Sequence, residues 1–162
     1  MGQGVGRTDP GHAGNCALTE PKAGNLPPAV WATAQERPAI LVVDDVMPIV
    51  RELVTMLNLM EMPARGARSI SEALAVLIDN DSLRIVACDV RLNGESGADL
   101  VLGVRQNPSL ADRNIHFVFM TGDAMQYDSA TPIHGYPVLM KPVPPAVLVS
   151  TLSTLLKKGQ GA

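Results

Sequence analysis

Residues 39–45 read AILVVDD, and this stretch decides the fold. Ile40, Leu41, Val42 and Val43 are apolar in succession, the pattern of a short strand buried on both faces, not of one with a wet side. Such a strand belongs to a parallel sheet covered by helices, and the two acids that follow at once, Asp44 and Asp45, stand where it ends. The residues beyond agree. Val46, Ile49, Val50, Leu53, Leu57 and Met60 recur at helical spacing, and Pro48 suits a first helical turn, where its missing N–H is not needed.

Outward from this unit the alternation repeats. A short second strand is expected near 62–67, followed by Ser69 and Glu72, a capping box opening a helix with Ile70, Ala73, Leu74 and Leu77 inward. LRIVACD (83–89) reads as a third strand, GADLVLGVRQ (97–106) as a helix, and NIHFVFMTG (114–122) as a fourth strand ended by Gly122. AMQYDSATPIHG (124–135) is weakly patterned and broken by Pro132 and Gly135, so an abbreviated helix is expected there. YPVLMK (136–141) makes a fifth strand. Val147, Leu148, Thr151, Leu152, Leu155 and Leu156 then line a terminal helix opened by Pro144 and Pro145 and ended near Gly159. Five strands alternating with helices, joined by right-handed crossovers, predict an α/β domain. Its form is a flavodoxin-like, doubly wound, five-stranded parallel sheet of order 2-1-3-4-5 with helices on both faces.

The 162 residues, 46% hydrophobic and 18% charged, hold material for one core of ordinary domain size. Residues 1–38, rich in Gly, Pro, Ala and Asn, read as a flexible leader with Trp31 as its large apolar anchor; 39–158 form the domain and 159–162 a tail. A net charge of -3 with no basic stripe argues against direct nucleic acid binding. Cys16 and Cys88 form neither a CxxC pair nor a metal cluster, so a reducing cytoplasm is the expected setting. No apolar run approaches the ~18 residues of a membrane span, and the N-terminus lacks the apolar centre of a secretory signal.

The chemistry collects at strand ends. Asp44 and Asp45 follow the first strand, Asp89 ends the third, Thr121 the fourth and Lys141 the fifth, and in an open parallel sheet the carboxyl ends are where ligands bind. Three gathered carboxylates repel one another, and a hard cation such as Mg2+, which takes oxygen ligands, resolves the repulsion. Attack by a carboxylate on a phosphoryl donor needs alignment and neutralised charge, which Mg2+, Lys141 and the Thr121 hydroxyl are placed to supply. Gly122 would leave room for the phosphoryl group beside Thr121. Taken singly these residues have ordinary roles. Asp44 and Asp45 suit a strand-to-helix turn, Cys88 a small core position, and Met56, Met60 and Met62 packing; His116 and His134 lack a ligand partner.

The motifs LVVDD (41–45), ACDVRLNGESG (87–97), MTG (120–122) and LMKP (139–142), in this order, resemble the receiver domain of two-component response regulators, of the single-domain CheY-like kind. The resemblance runs from Ala39 to the end of the chain. It implies Asp89 as phosphoryl acceptor, and Mg2+ held by Asp44, Asp45, Asp89 and the Arg91 backbone carbonyl. It also implies Thr121 and Lys141 on the bound phosphoryl group, and a cis peptide before Pro142. The function so implied is signalling, not enzymatic turnover. A sensor histidine kinase or a histidine phosphotransfer protein supplies the phosphoryl group, and the altered surface engages a downstream protein target. As little sequence follows the last helix, a stand-alone receiver is expected.

Three departures stand out. Leu92 and Asn93 replace the usual M-P pair before Gly97, the abbreviated 124–135 stretch alters the surface, and Val138 stands where the family commonly has Phe or Tyr. Tyr136, two residues earlier and on the same face by alternation, is the candidate substitute. Arg91 and Asp123, each two residues beyond a site residue, are expected to meet across the pocket mouth and restrict water. Rival readings are a receiver-like interaction module that is never phosphorylated, a phosphatase of haloacid dehalogenase type, and an FMN-binding flavodoxin. The phosphatase would need a D-x-D pair, whereas Asp44 and Asp45 are adjacent and Arg91 lies two beyond Asp89. The flavin binder would need hydroxyls and amides where the first loop offers carboxylates.

Overall fold

A strand enclosed on both faces has to satisfy its backbone groups by pairing along both edges. β1 (Ile40–Val43) does so in the computed structural model, which describes residues 37–123 and 133–160. Its four residues are fully buried, and Ile40 lies opposite Ala64 on one side and Ile85 on the other. The expected leader and the expected short helix after Gly122 lie outside the described residues.

The elements after β1 follow the expected alternation. They are α1 (Met47–Leu59), β2 (Ala64–Ala67), α2 (Ile70–Asp79), β3 (Ile85–Asp89), a two-stranded ribbon β4 (Arg91–Leu92) and β5 (Glu95–Ser96), α3 (Gly97–Gln106), β6 (His116–Thr121), β7 (Val138–Met140) and α4 (Pro145–Gln160). The main sheet has the order β2-β1-β3-β6-β7, every pair parallel. Leaving out the ribbon, this is the order 2-1-3-4-5. α4 continues through Gly159, one residue past the expected stop. No helix among the described residues is long and apolar enough to cross a membrane.

Alternate residues of each strand feed opposite layers. Leu41, Val43, Phe117 and Phe119 pack with Leu77 of α2 and Leu100 of α3; Ile40, Val42, Val118 and Met120 pack with Leu57 of α1 and Leu152 of α4. Each such burial contributes roughly 1.5–3 kcal/mol. The four residues of β1 alone therefore offset the several kcal/mol that burying one carboxylate at the strand end costs.

Local chemistry explains the boundaries. Ser69 Oγ accepts the Glu72 N–H at 3.2 Å, as a capping box requires, while the Glu72 carboxylate reaches one residue further back, to the Arg68 N–H at 3.0 Å. Pro48 sits in the first turn of α1, whose N-cap is Val46 with no side-chain cap. Val46, Met60 and Val147, expected on the inward stripes, are about half exposed because the first two flank α1 and the third lies in the first turn of α4.

The ribbon was not foreseen, although its signal is in the letters RLNGES. Asn93 and Gly94 both adopt positive φ, 40° and 92°, the backbone of a two-residue hairpin turn whose twist matches its strands. Leu92, which stands where a loop was expected, is 1% exposed and belongs to the α2–α3 layer. Ser96 and Asp99 then cap α3 reciprocally.

Candidate functional site

Register brings the chemistry together. Val43 lies opposite Cys88, so Asp44 and Asp89 are neighbours at the carboxyl ends of β1 and β3. Met140 lies opposite Thr121, and the next residue, Lys141, donates its N–H to the Thr121 carbonyl at 2.6 Å. The Lys141–Pro142 peptide is cis.

The Lys141 ammonium stands between two acids, donating to Asp44 Oδ2 at 2.8 Å and to Asp89 Oδ2 at 2.7 Å. The second oxygen of each acid is held by an N–H two residues on: Val46 N–H to Asp44 Oδ1 at 2.9 Å, and Arg91 N–H to Asp89 Oδ1 at 3.2 Å. Asp44 is fully buried and Asp89 is 15% exposed at its side chain. Asp45 is exposed, yet one carboxylate oxygen from each of Asp44, Asp45 and Asp89 lies within 4.8 Å of the others.

Two unit charges about 4 Å apart repel by roughly 4 kcal/mol in a partly solvated setting. Lys141 cancels one of the three formal charges, which leaves two for a divalent cation. The donors are all oxygen, with no thiolate or imidazole in the cluster, and this set fits a hard ion such as Mg2+. Burial by itself pulls the Lys141 pKa down. The hydrogen bonds and charges of Asp44 and Asp89 overcome it, so the ammonium is held above its ordinary value of 10.5.

Thr121 is nearly buried, and its hydroxyl is engaged by its own loop, accepting the Asp123 N–H at 3.1 Å and facing the Asp123 carbonyl at 3.2 Å. A Cβ added at Gly122 would meet no atom of the described residues within 4 Å. The expected pair across the mouth is formed, with Arg91 Nη2 3.6 Å from Asp123 Oδ2 and both side chains well exposed. Cys88 is buried and donates to the Asp89 carbonyl at 3.1 Å; burial, then the charges of Asp89 and Asp44, push its thiol well above the usual range. This is a core residue and not a nucleophile.

Tyr136 does not stand in for the aromatic missing at Val138. It lies before β7, and with Met140 opposite Thr121 it is four residues, about 13 Å, further down the sheet. Its ring packs edge-on against Phe117 and Phe119 instead.

Gly97 is required where α3 starts. An added Cβ would stand 2.7 Å from the Asp89 carbonyl oxygen and 3.0 Å from the Phe119 ring, so backbone beside the site would have to move. Gly97→Ala is expected to lower stability by about 1–3 kcal/mol, because the backbone at Asp89 or the Phe119 ring must give way. Urea unfolding of the two chains checks this.

Comparison with known proteins agrees with this fold. Residues 40–153 match the family described as response regulator receiver domain. A response regulator receiver protein from Pseudomonas putida is 28% identical, with a TM-score of 0.62, over 73% of this chain and 97% of its own. The signal receiver domain of an HD domain-containing protein from Pseudomonas fluorescens Pf-5 is 24% identical, with a TM-score of 0.65, over 77% and 90%. The chemotaxis response regulator CheY4 of Vibrio cholerae is 22% identical, with a TM-score of 0.61, over 72% and 97%. No curated protein matches the chain. With its fold, the convergent acids and this match together, the chain belongs to the response regulator receiver domain family.

Proposed function

We propose that Asp89 accepts a phosphoryl group from a histidine kinase or a histidine phosphotransfer protein, and that the resulting acyl phosphate is the signal. The observation that carries this reading is the single Lys141 ammonium bonded at once to Asp44 and Asp89. An Asp89 oxygen attacks phosphorus, the bond from phosphorus to the donor breaks, and its electron pair leaves with the donor. Mg2+, held by Asp44, Asp45, Asp89 and the Arg91 carbonyl, would neutralise charge on the transferring oxygens. Lys141 turns from the carboxylate to the phosphoryl oxygens, and the Thr121 hydroxyl leaves Asp123 to donate to them. The space at Gly122 admits the group. Water later cleaves the acyl phosphate, returning the carboxylate and inorganic phosphate.

A cavity of about 520 Å³ opens beside Lys141, lined also by Ile49, Glu52, Leu53, Met120, Pro142 and Val143, and offers a mainly apolar seat with one acid for the donor protein. The test is direct. Incubated with Mg2+ and a small phosphodonor, the chain should gain the mass of one phosphoryl group, and EDTA should prevent the gain; no gain with Mg2+ present would refute the proposal.

The Arg91–Asp123 pair covers the path by which water reaches the acyl phosphate. Arg91→Ala and Asp123→Ala are each expected to shorten its lifetime by up to about fivefold, the ceiling set by an exposed pair worth ~0–1 kcal/mol. Decay of the labelled protein gives the number, and unchanged decay in both variants would dismiss this role.

A further inference from the structure

α3 starts close against Phe119 and is hydrogen-bonded at its end to Tyr136, two members of one aromatic group. At the start, the Gly97 N–H donates to the Val90 carbonyl at 2.8 Å, and the position a Cβ would take lies 2.7 Å from the Asp89 carbonyl oxygen and 3.0 Å from the Phe119 ring. In the last turn, Arg105 Nη2 donates to the Tyr136 hydroxyl at 3.0 Å. Tyr136 in turn meets Phe119 edge-on, with centroids 5.9 Å apart and planes at 67°, and Phe117 at 5.5 Å and 65°. Packed contacts therefore run from the Asp89 carbonyl through Gly97 and Phe119 to Tyr136, and a hydrogen bond returns to the helix through Arg105.

This arrangement has no slack at the Asp89 end and some at the other. Close packing at Gly97 means that a changed Asp89 loop displaces α3 as a rigid body, because packed interiors transmit strain. At the far end, a cavity of about 310 Å³ is bounded by Arg105, Arg113, Phe117 and Tyr136, which leaves space beside the Tyr136 ring. Arg105 is exposed, so water can replace its bond to Tyr136.

We propose that the Arg105–Tyr136 bond is a latch holding α3 in its unphosphorylated position, and that it opens when Asp89 carries a phosphoryl group. This rests on the acceptor reading above and names its readout. The face that changes is that of α3, where Leu102 and Arg105 are exposed. The readout passes through Tyr136 and α3, and does not need an aromatic residue at Val138.

The experiment compares amide and arginine side-chain NMR spectra of the full chain and its Tyr136→Phe variant, with and without Mg2+ and beryllofluoride, a phosphoryl mimic. In the unsubstituted chain, ligand is expected to shift residues 89–91, the α3 amides and the Arg105 Nε–H together. In Tyr136→Phe the free protein should already show its α3 signals moved toward the ligand-bound positions. Its apparent affinity for beryllofluoride should rise about two- to fivefold, since the closed state no longer competes. Arg105→Gln should reproduce the affinity change. Shifts at 89–91 with Arg105 and α3 unmoved, or an unchanged affinity in both variants, would overturn the latch and leave the acceptor reading standing. No shift at 89–91 in the unsubstituted chain would overturn both.

Discussion

Asp89→Asn is expected to reduce phosphoryl uptake from a small phosphodonor by roughly 1,000-fold or more, to background, because the amide is no nucleophile and no other carboxylate among the described residues shares its placement. Asp89 is the acid that is simultaneously open to solvent, bonded to Lys141 and flanked by the mouth of the site; Asp44 is fully buried and Asp45 has no bond to Lys141. The same substitution should leave the fold intact. Asn keeps an oxygen to accept the Arg91 N–H, and one of three crowded charges disappears, so the thermal midpoint without Mg2+ should equal or exceed that of the original chain. Mass spectrometry and thermal unfolding on one preparation separate the two effects. A variant that still took up phosphoryl at the original rate would place the acceptor elsewhere.

Lys141→Met is expected to have the largest effect on stability. It leaves the buried Asp44 carboxylate with the Val46 N–H but without its cation, and restores the full repulsion among three acids. Breaking a buried pair from one side should cost about 2–4 kcal/mol at neutral pH, tempered here because the lysine side chain is 27% exposed. Millimolar Mg2+ should narrow the gap by replacing the missing positive charge. The pH dependence has a definite sign. Because the folded ammonium titrates above 10.5, its contribution is fully present below that value and is lost as pH rises through the raised folded pKa. The original chain should therefore lose stability more steeply than Lys141→Met at strongly alkaline pH. Urea unfolding at neutral and alkaline pH tests this, and equal stability of the two chains at pH 7 would contradict it.

Much of this architecture was legible in the letters. The unbroken apolar run of β1 and the strand-end positions of Asp44, Asp89, Thr121 and Lys141 led to the correct sheet order, because a buried parallel strand has few other ways to satisfy its backbone. GADLVLGVRQ matches α3 to the residue, and the structure adds the Ser96 cap that the reading of the letters had not used. The ribbon was missed because two paired residues per strand are too few for alternation to register, and only the Asn-Gly turn marks it. Val46 and Met60 share the periodicity of α1 yet lie beyond its ends, so spacing alone could not place them. Tyr136 shows a further limit. Alternation put it on the correct face, but only the pairing of Met140 with Thr121 shows how far it stands from the site and how close to Phe119.

The most direct measurement treats the chain with Mg2+ and a phosphodonor, reduces the product with borohydride, and maps the peptides. Hydride reduction of an aspartyl phosphate yields homoserine, so conversion confined to position 89 is the predicted result. Homoserine at position 44 or 45, or none at any position despite a mass gain, would contradict the claim that Asp89 is where the signal is written.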